Sequence, residues 1–430
     1  MNSASSTPPG HLPNTPPHAS PKIAPVASGL PLSGIRVLDL SKVIAGPLCA
    51  QYLGDMGAQV IKVEPVKLGD DTRYMPPFRE TGRGRAGGVF LAVNRNKRSI
   101  AVDMGSAAGR DIIYQLAKTC DIALSSFGPG VAQKLGVDSA ALRAHNPRLI
   151  SCEISGFGSI GPMNQGKGYD VILQAFTGML AMTGEPGGAP VRSPFAPIDQ
   201  GTGLHAMSGI LAALFQRERT GQGASIEASL FDTATGFLSV FLQNYWERGT
   251  EPAKAGSGHE SLAPYQVFET ADKPLILGVA NDALWGKFCA IAGLDALRDD
   301  PRFKTNADRV RNKAEIVQIV DTTLRTRSRD HWLPLLDAAG IPVSAVNTLG
   351  ELSAHPHTLQ SGMKFDYEHP ALGALQGVTH PLRVNGQRAT QRLPPPLHGE
   401  HTVQVLRELG LDDETIRAGQ RDGVLGGTWQ

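Results

Sequence analysis

Pro31-Leu-Ser-Gly-Ile-Arg-Val-Leu-Asp-Leu40, followed by Ala58-Gln-Val-Ile-Lys-Val-Glu64, is the stretch whose reading decides the fold. Ile35 to Leu40 is a short apolar run with the character of a buried strand. Between the two segments, Pro47 to Met56 reads as a helix with proline in its first turn, where the missing N–H costs nothing. Gly57 ends that helix, and Ala58 to Glu64 reads as a second strand. Strand, helix and strand within about 30 residues make a βαβ unit. Its two strands are expected to be parallel and its crossover right-handed.

The alternation continues along the chain. Ser99 to Asp103 reads as a strand, Ala107 to Thr119 as a helix and Ile122 to Ser125 as a strand. Ala140 to His145 is helical, Leu149 to Ile154 extended, and Ala224 to Ala228 a further strand before a long helix over Leu230 to Trp246. The fold class is α/β, a large doubly wound (Rossmann-like) domain with a parallel sheet. No G-x-G-x-x-G follows the first strand, so a nicotinamide or flavin dinucleotide is not supported. From about Arg248 the character changes. Gly249 to Gly258 reads as a connector, and Tyr265–Thr270 with Leu275–Val279 as a hairpin around Asp272-Lys-Pro. Helices follow near Ala283–Ala292, Lys313–Arg325 and Arg329–Ala339, a smaller α+β domain. The expected organisation is a disordered arm over 1–30 and a large domain over 31–232. A linker and small domain occupy 233–345, and a return segment over 346–430 completes the large domain.

Composition narrows the class. The chain has 430 residues, 41% hydrophobic and 19% charged, with a net charge of +1, which suits a globular enzyme and argues against nucleic acid or a membrane as partner. Four widely spaced cysteines, Cys49, Cys120, Cys152 and Cys289, form no CxxC pair and point to a reducing compartment, read here as cytoplasmic. No apolar run reaches the length of a membrane span. Residues 1–30 carry a single charge, Lys22, and no Phe, Tyr or Trp, too little apolar surface to order a segment. They lack the apolar core of a signal peptide and the arginines of a transit peptide.

Two stretches carry candidate chemistry. Ser193-Pro-Phe-Ala-Pro-Ile-Asp199-Gln-Gly-Thr-Gly-Leu-His205 leads into a small, apolar run that reads as a buried helix over Thr202 to Arg217. Asp199 sits at the junction, with Gly201 and Gly203 behind it. One reading makes Asp199 a helix N-cap. The other makes it a nucleophile, kept ionised by the helix dipole and able to attack an activated acyl carbon. The second stretch, residues 73–98, holds Arg73, Arg79, Arg83, Arg85, Arg95, Lys97 and Arg98 against one acid, Glu80. Interleaved glycines make it read either as a solvated surface loop or as a phosphate-binding loop.

Taken in order, the motifs resemble the class III CoA-transferases, the family of formyl-CoA transferase and the carnitine-CoA transferases. Those motifs include Ala45-Gly-Pro47, Gly57-Ala-x-Val-Ile-Lys-Val-Glu-Pro65, Gly69-Asp70 with Arg73, and Asn94-Arg-Asn-Lys-Arg-Ser-Ile100. Phe127-Gly-Pro-Gly130, Ser155-Gly-Phe-Gly158, Gly168-Tyr-Asp170, Asp199 with its glycines and Gly399-Glu-His-Thr402 follow. The resemblance implies that Asp199 is the catalytic nucleophile, with Asp170 and Tyr169 beside it and amides near Gly201 and Thr202 facing developing oxyanions. It implies CoA contacts at Val43, Ile44, Ala45, Val102, Met104, Ser126, Phe127, Gly128, Lys134 and Lys167. Pro65 stands where formyl-CoA transferase has an adenine-packing arginine, leaving Arg73, with Arg95 or Lys97, to compensate. His259 and Tyr265 are implied to face the substrate from the small domain. Acyl-CoA and a carboxylic acid are the implied substrates, with no metal or tightly bound cofactor, and the family forms interlocked homodimers.

A 2-methylacyl-CoA racemase of the same fold is the alternative. There a histidine precedes the helix-start acid; here that residue is Tyr169, and a phenol is a poor base at neutral pH. A non-catalytic CoA-binding protein is disfavoured by the retained Asp199. Gly256-Ser-Gly-His259 replaces the longer glycine-rich loop of formyl-CoA transferase and argues against formyl or oxalyl substrates. The runs Gly256 to Gln266, Phe303-Lys-Thr-Asn306 and Pro394 to His401 look most like the succinyl-CoA and dicarboxylate branch.

Overall fold

Eight strands precede the long connector: β1 (Arg36–Leu40), β2 (Gln59–Glu64), β3 (Phe78–Thr81), β4 (Gly84–Gly87), β5 (Lys97–Ala101), β6 (Ile122–Ser125), β7 (Ile150–Ser155) and β8 (Ser225–Ser229). They are seen in a computed structural model that describes residues 29–389 and 391–427. Apart from Gly29 and Leu30, the arm expected over 1–30 lies outside the described residues. Six of the strands form one sheet, all pairs parallel, in the order β5-β2-β1-β6-β7-β8. Counted along the chain, that order is 3-2-1-4-5-6, the doubly wound arrangement expected from the βαβ pattern. The order reverses between β1 and β6, so the crevice at their carboxyl ends is where such sheets take ligands.

Alternation along each strand feeds two cores. Val37, Val60, Ile122 and Ile150 face one side and pack against the helices Ala45–Asp55, Pro197–Thr220 and Leu230–Phe237. Leu38, Ile61, Ile100 and Ala123 face the other, under the helices Ala107–Thr119 and Ser139–His145. Val403, Val405, Leu406, Ile416 and Leu425 complete that second core. The amide of Gly426 donates to Ala101 O at 2.9 Å and that of Asp103 to Val424 O at 2.8 Å. Residues 424–426 are thereby laid along the β5 edge of the sheet.

A third core belongs to residues 263–341, built on β9 (Tyr265–Phe268) and β10 (Leu275–Gly278) with Trp285, Phe288, Ile316 and Leu336; β11 (Val343–Ala345) follows it and packs Val343 against it. β9 and β10 pair antiparallel, Phe268 opposite Leu275, as the turn residues Asp272-Lys-Pro imply. The helix expected over Leu230 to Trp246 is two, Leu230–Phe237 and Ser239–Arg248, meeting at Leu238.

The helices Ala45–Asp55 and Pro197–Thr220 cross with their backbones nearly touching. A Cβ added at Gly203 would lie 2.6 Å from Ala45 O. Gly203→Ala should therefore force the helices apart, at a cost of about 1–3 kcal/mol as for other overpacked sites. Thermal melting of the variant checks this; an unchanged midpoint would show that the crossing yields freely.

Candidate active site

Pro197, not Thr202, opens the helix that carries Asp199, which runs Pro197–Thr220. Proline fits at the first helical position, since its fixed φ suits the helix and its absent N–H would be unbonded there anyway. Asp199 is consequently the third helical residue and not the N-cap; Ala196 holds the cap position and makes no side-chain cap bond.

The cap comes from elsewhere. Asp170, at the start of the helix Asp170–Phe176, is buried. Its Oδ2 accepts from the amides of Ile198 at 2.8 Å and Asp199 at 3.0 Å. Gln174, one turn on, donates through Nε2 to Asp170 Oδ1 and accepts from Ser193 N at 2.9 Å through Oε1. The approach of this segment depends on a glycine pair, because a Cβ on Gly168 would lie 2.3 Å from Gly156 Cα.

This arrangement corrects the expectation that the helix keeps Asp199 ionised. The first free amides are spent on Asp170, and among the described residues no donor reaches the Asp199 carboxylate. Burial, with the Asp170 charge adding to it, pushes Asp199 up to about 7. A carboxylate of such proton affinity is a stronger nucleophile once ionised, and it is half ionised near neutrality. The same shift lowers stability as pH rises between about 4 and about 7, because the folded chain there holds a proton that the unfolded chain releases.

Gly201 plays a spatial part. Its amide lies inside the helix, where N–H groups bond the preceding turn, so neither it nor that of Thr202 is free for an oxyanion. A Cβ at Gly201 would meet Phe237 Cζ at 2.3 Å. Gly203, four residues after Asp199 and so on the same helix face, is the contact with Ala45. The acid thus stands one helical turn from the segment Val43-Ile44-Ala45.

Leu40, Ser41 and Lys42, which lead into that segment, line a cleft of about 690 Å³ at the reversal point of the sheet, whose lining does not include Val43, Ile44 or Ala45. Val102, Met104, Phe127 and Gly128, four of the expected CoA contacts, line it. Ser126 ties its two sides together, its Oγ accepting from Lys42 N at 2.9 Å. Lys134 and Lys167 are exposed; Lys134 lies on the helix whose Val131 and Leu135 line the cleft. Tyr169 is exposed. His259 and Tyr265 meet each other, with ring centroids 5.5 Å apart, but among the described residues no hydrogen bond or ring contact joins them to Asp199.

Arg73 and Lys97 do not reach the cleft as phosphate ligands. Arg73 is buried, bonds Glu64 through Nε and Nη2, both at 2.8 Å, and lies 3.7 Å over the Phe90 ring. Lys97 is fully buried on β5, its Nζ bonding Asp39 at 3.0 Å, Pro47 O at 2.8 Å and Asn94 at 2.9 Å. Arg95 pairs with Asp55 in the same way. The physical reason is pairing: β5 turns Lys97 and Ser99 inward, and each cation finds a buried carboxylate. The basic run is a hairpin, β3–β4, followed by interior ion pairs, and not a flexible loop. Sequence reasoning passed over Ser41, Lys42 and Lys62, which line the cleft with Asp70. The available signal was a charge at alternate positions of an otherwise apolar strand, Lys62 and Glu64 of β2. Gln174 had only its spacing from Asp170.

With this geometry in view, the family can be stated. The sequence model of CoA-transferase family III matches residues 32–402, and the chain belongs to that family. It is 39% identical over 389 residues to a succinate–glutarate CoA-transferase of Agrobacterium fabrum, covering 90% of this chain and 97% of that one. It is 36% identical over 357 residues to an acetyl-CoA:oxalate CoA-transferase of Acetobacter aceti, covering 83% and 90% of the two chains. A crystal structure of a CaiB/BaiF family protein from Brucella suis superposes with a TM-score of 0.81 at 35% identity, over 88% of this chain and 99% of that one. The chain is therefore an enzyme that transfers CoA between an acyl-CoA and a carboxylate, with CoA thioesters as substrates. No helix among the described residues is long and apolar enough to cross a membrane.

Two measurements follow from the site. The acid limb of the pH–rate profile should rise through about 7 as Asp199 ionises, and Asp170→Asn, by removing the neighbouring charge, should move that limb to lower pH. A limb that stays in place would mean that Asp170 does not act on the reacting group. Lys97→Met should lower stability by about 3–5 kcal/mol, the cost of leaving the buried Asp39 charge unpaired. Denaturant unfolding reads this directly, and a variant of wild-type stability that merely binds CoA weakly would restore Lys97 as a ligand.

Proposed function

We propose that Asp199 carries the transferred group covalently. Its carboxylate attacks the thioester carbon of the donor acyl-CoA, giving an aspartyl-acyl anhydride and CoA thiolate. The thiolate attacks the aspartyl carbonyl, releasing the donor acid and leaving an aspartyl-CoA thioester. The acceptor carboxylate attacks that thioester, giving a new anhydride and thiolate. Attack of the thiolate on the acceptor carbonyl forms the new acyl-CoA and frees Asp199. The observation that carries this reading is a half-buried carboxylate of raised proton affinity, beside a second acid and with no hydrogen-bond donor among the described residues, on the helix that crosses Ala45 close to the cleft at the sheet's reversal point. A racemase would need a base at position 169, and Tyr169 is a poor one.

For the acyl groups, we take succinyl-CoA as donor and a dicarboxylate of the glutarate type as acceptor, on the likeness to the Agrobacterium fabrum enzyme. The likeness to the Acetobacter aceti enzyme keeps oxalate among the acids to be tried, against the reading of the Gly256 loop. His259 and Tyr265 fit a role at the site of a second copy of the chain. A homodimer is supported by the helix Ser239–Arg248, none of whose residues is buried, with Val240 and Trp246 each 67% exposed; apolar patches of this kind mark interfaces. We keep the boundaries 31–232, 233–345 and 346–430: the core of residues 263–341 falls within the second span, and Val403, Leu406, Ile416 and Leu425 of the third join a core begun in the first. Four free, buried cysteines suit the cytoplasm.

A panel of acyl-CoA donors and carboxylic acids, with exchange followed by mass spectrometry, tests the reaction. Succinyl-CoA with glutarate should give glutaryl-CoA, and Asp199→Ala should lose at least about 10³-fold in kcat, as removal of a nucleophile does elsewhere. Hydroxylamine added after acyl-CoA should leave a hydroxamate on Asp199. A hydroxamate on another residue, or α-proton exchange without transfer, would sink the assignment.

A further inference from the structure

Val43 has a φ of 71°. A β-branched residue in the left-handed region is a genuine outlier, and such strain persists only where the surroundings over-determine it. Here they do. Val43 ends the segment Ser41–Val43 that joins β1 to the helix Ala45–Asp55, and the segment is held at every residue. Asp39 Oδ1 accepts from Ser41 N at 3.0 Å and from Ser41 Oγ. Lys62 Nζ donates to Ser41 O at 2.9 Å. Ser126 Oγ accepts from Lys42 N at 2.9 Å and donates to Lys42 O at 3.2 Å, while Lys42 Nζ pairs with Asp71 at 2.9 Å. Val43 N points to Asp70 Oδ1, at a long 3.5 Å.

These ties converge on one buried pair. Lys62 Nζ donates to Asp70 Oδ2 at 2.8 Å, both side chains being 1% exposed. Asp70 Oδ1 also accepts from Thr72 N at 2.9 Å and Thr72 Oγ1 at 2.7 Å, and Asp70 N donates to Glu64 Oε1 at 2.9 Å. Burial works against the Asp70 charge, but Lys62 and the Thr72 donors outweigh it and hold the carboxyl at about 2, so the pair stays charged. Leu40, Ser41 and Lys42, with Lys62, Glu64 and Asp70, line the cleft together with Phe127 and Gly128.

We propose that the Lys62–Asp70 pair is a positioning device for CoA. It holds Ser41–Val43 in its strained conformation and so fixes a wall of the cleft against which CoA lies. The residues act through the segment and touch no reacting atom. The proposal rests on the reading of this cleft as the CoA site.

Val43→Gly tests it, because glycine adopts the left-handed conformation without steric cost and leaves every charged group in place. With the pair and its ties intact the segment keeps its shape, so Val43→Gly alone should melt at an unchanged or higher temperature. Lys62→Met with Asp70→Leu, which removes the pair without leaving a lone buried charge, frees the strained segment and should raise the CoA dissociation constant at least fivefold by calorimetry, with a matching rise in KM for acyl-CoA. KM for the acceptor acid should not move. Adding Val43→Gly to that double variant removes the strain the pair opposes and should recover part of the lost affinity. Wild-type affinity in the double variant, or no recovery on adding Val43→Gly, would overturn the proposal. If the unaltered chain binds no CoA, the cleft assignment fails first and takes the proposal with it; that outcome is read on the wild type alone.

Discussion

One carboxylate oxygen, Asp170 Oδ2, organises the start of the helix that carries Asp199. By accepting the amides of Ile198 and Asp199, it closes the exposed start of a 24-residue helix that would otherwise leave its first N–H groups unbonded. Because the donors are consumed, the acid carried by that helix is not stabilised by the dipole. Asp199 instead meets a second negative charge in a partly desolvated place. Helix capping and control of proton affinity are here the work of one atom. Gln174 extends the arrangement to Ser193, so the loop ahead of the helix and the acid that caps it are joined to a single buried amide.

A similar economy runs through the sheet. Asp39, Lys62, Glu64 and Lys97 stand on the same face of three adjacent strands, the first three towards the carboxyl ends of β1 and β2 and Lys97 at the start of β5, and all are buried. Buried ion pairs of this kind contribute little net stability, since desolvation offsets attraction, but they are unforgiving of a missing partner. What they supply is definition. Lys62 touches both Ser41 O and Asp70, and Arg73 links Glu64 to Pro396 O, which ties the return segment to the sheet. The cost of satisfying these charges fixes the backbone around the cleft.

Much of this was legible from residues alone, for identifiable reasons. The βαβ units read correctly because apolar runs of strand length alternated with amphipathic segments, and that periodicity is local. Asp199 stood out because proline, acid and glycines fell together within a few positions. Its cap did not, since Asp170 is 29 residues away and only the fold brings it near. The run from Arg73 to Arg98 misled because a count of charges carries no direction. Whether Lys97 points outward depends on the register of β5 against β2, a pairing across nearly 40 residues. The break at Leu238 was likewise hidden, since Leu230 to Trp246 holds no proline to announce it.

The way the chain closes on itself has a consequence for how it is made. The core of residues 263–341 lies within one continuous span and has all its members once that span has left the ribosome. The core beneath the Ala107–Thr119 helix is begun by β1 yet lacks Val403, Leu406, Ile416 and Leu425 until the chain has been made well past the inserted span. The inserted body can therefore be complete while the one that encloses it still exposes Ile61, Ile100 and Ile113 to the cell. A growing chain of this design presents apolar sheet surface for most of its synthesis, the condition under which chaperones engage.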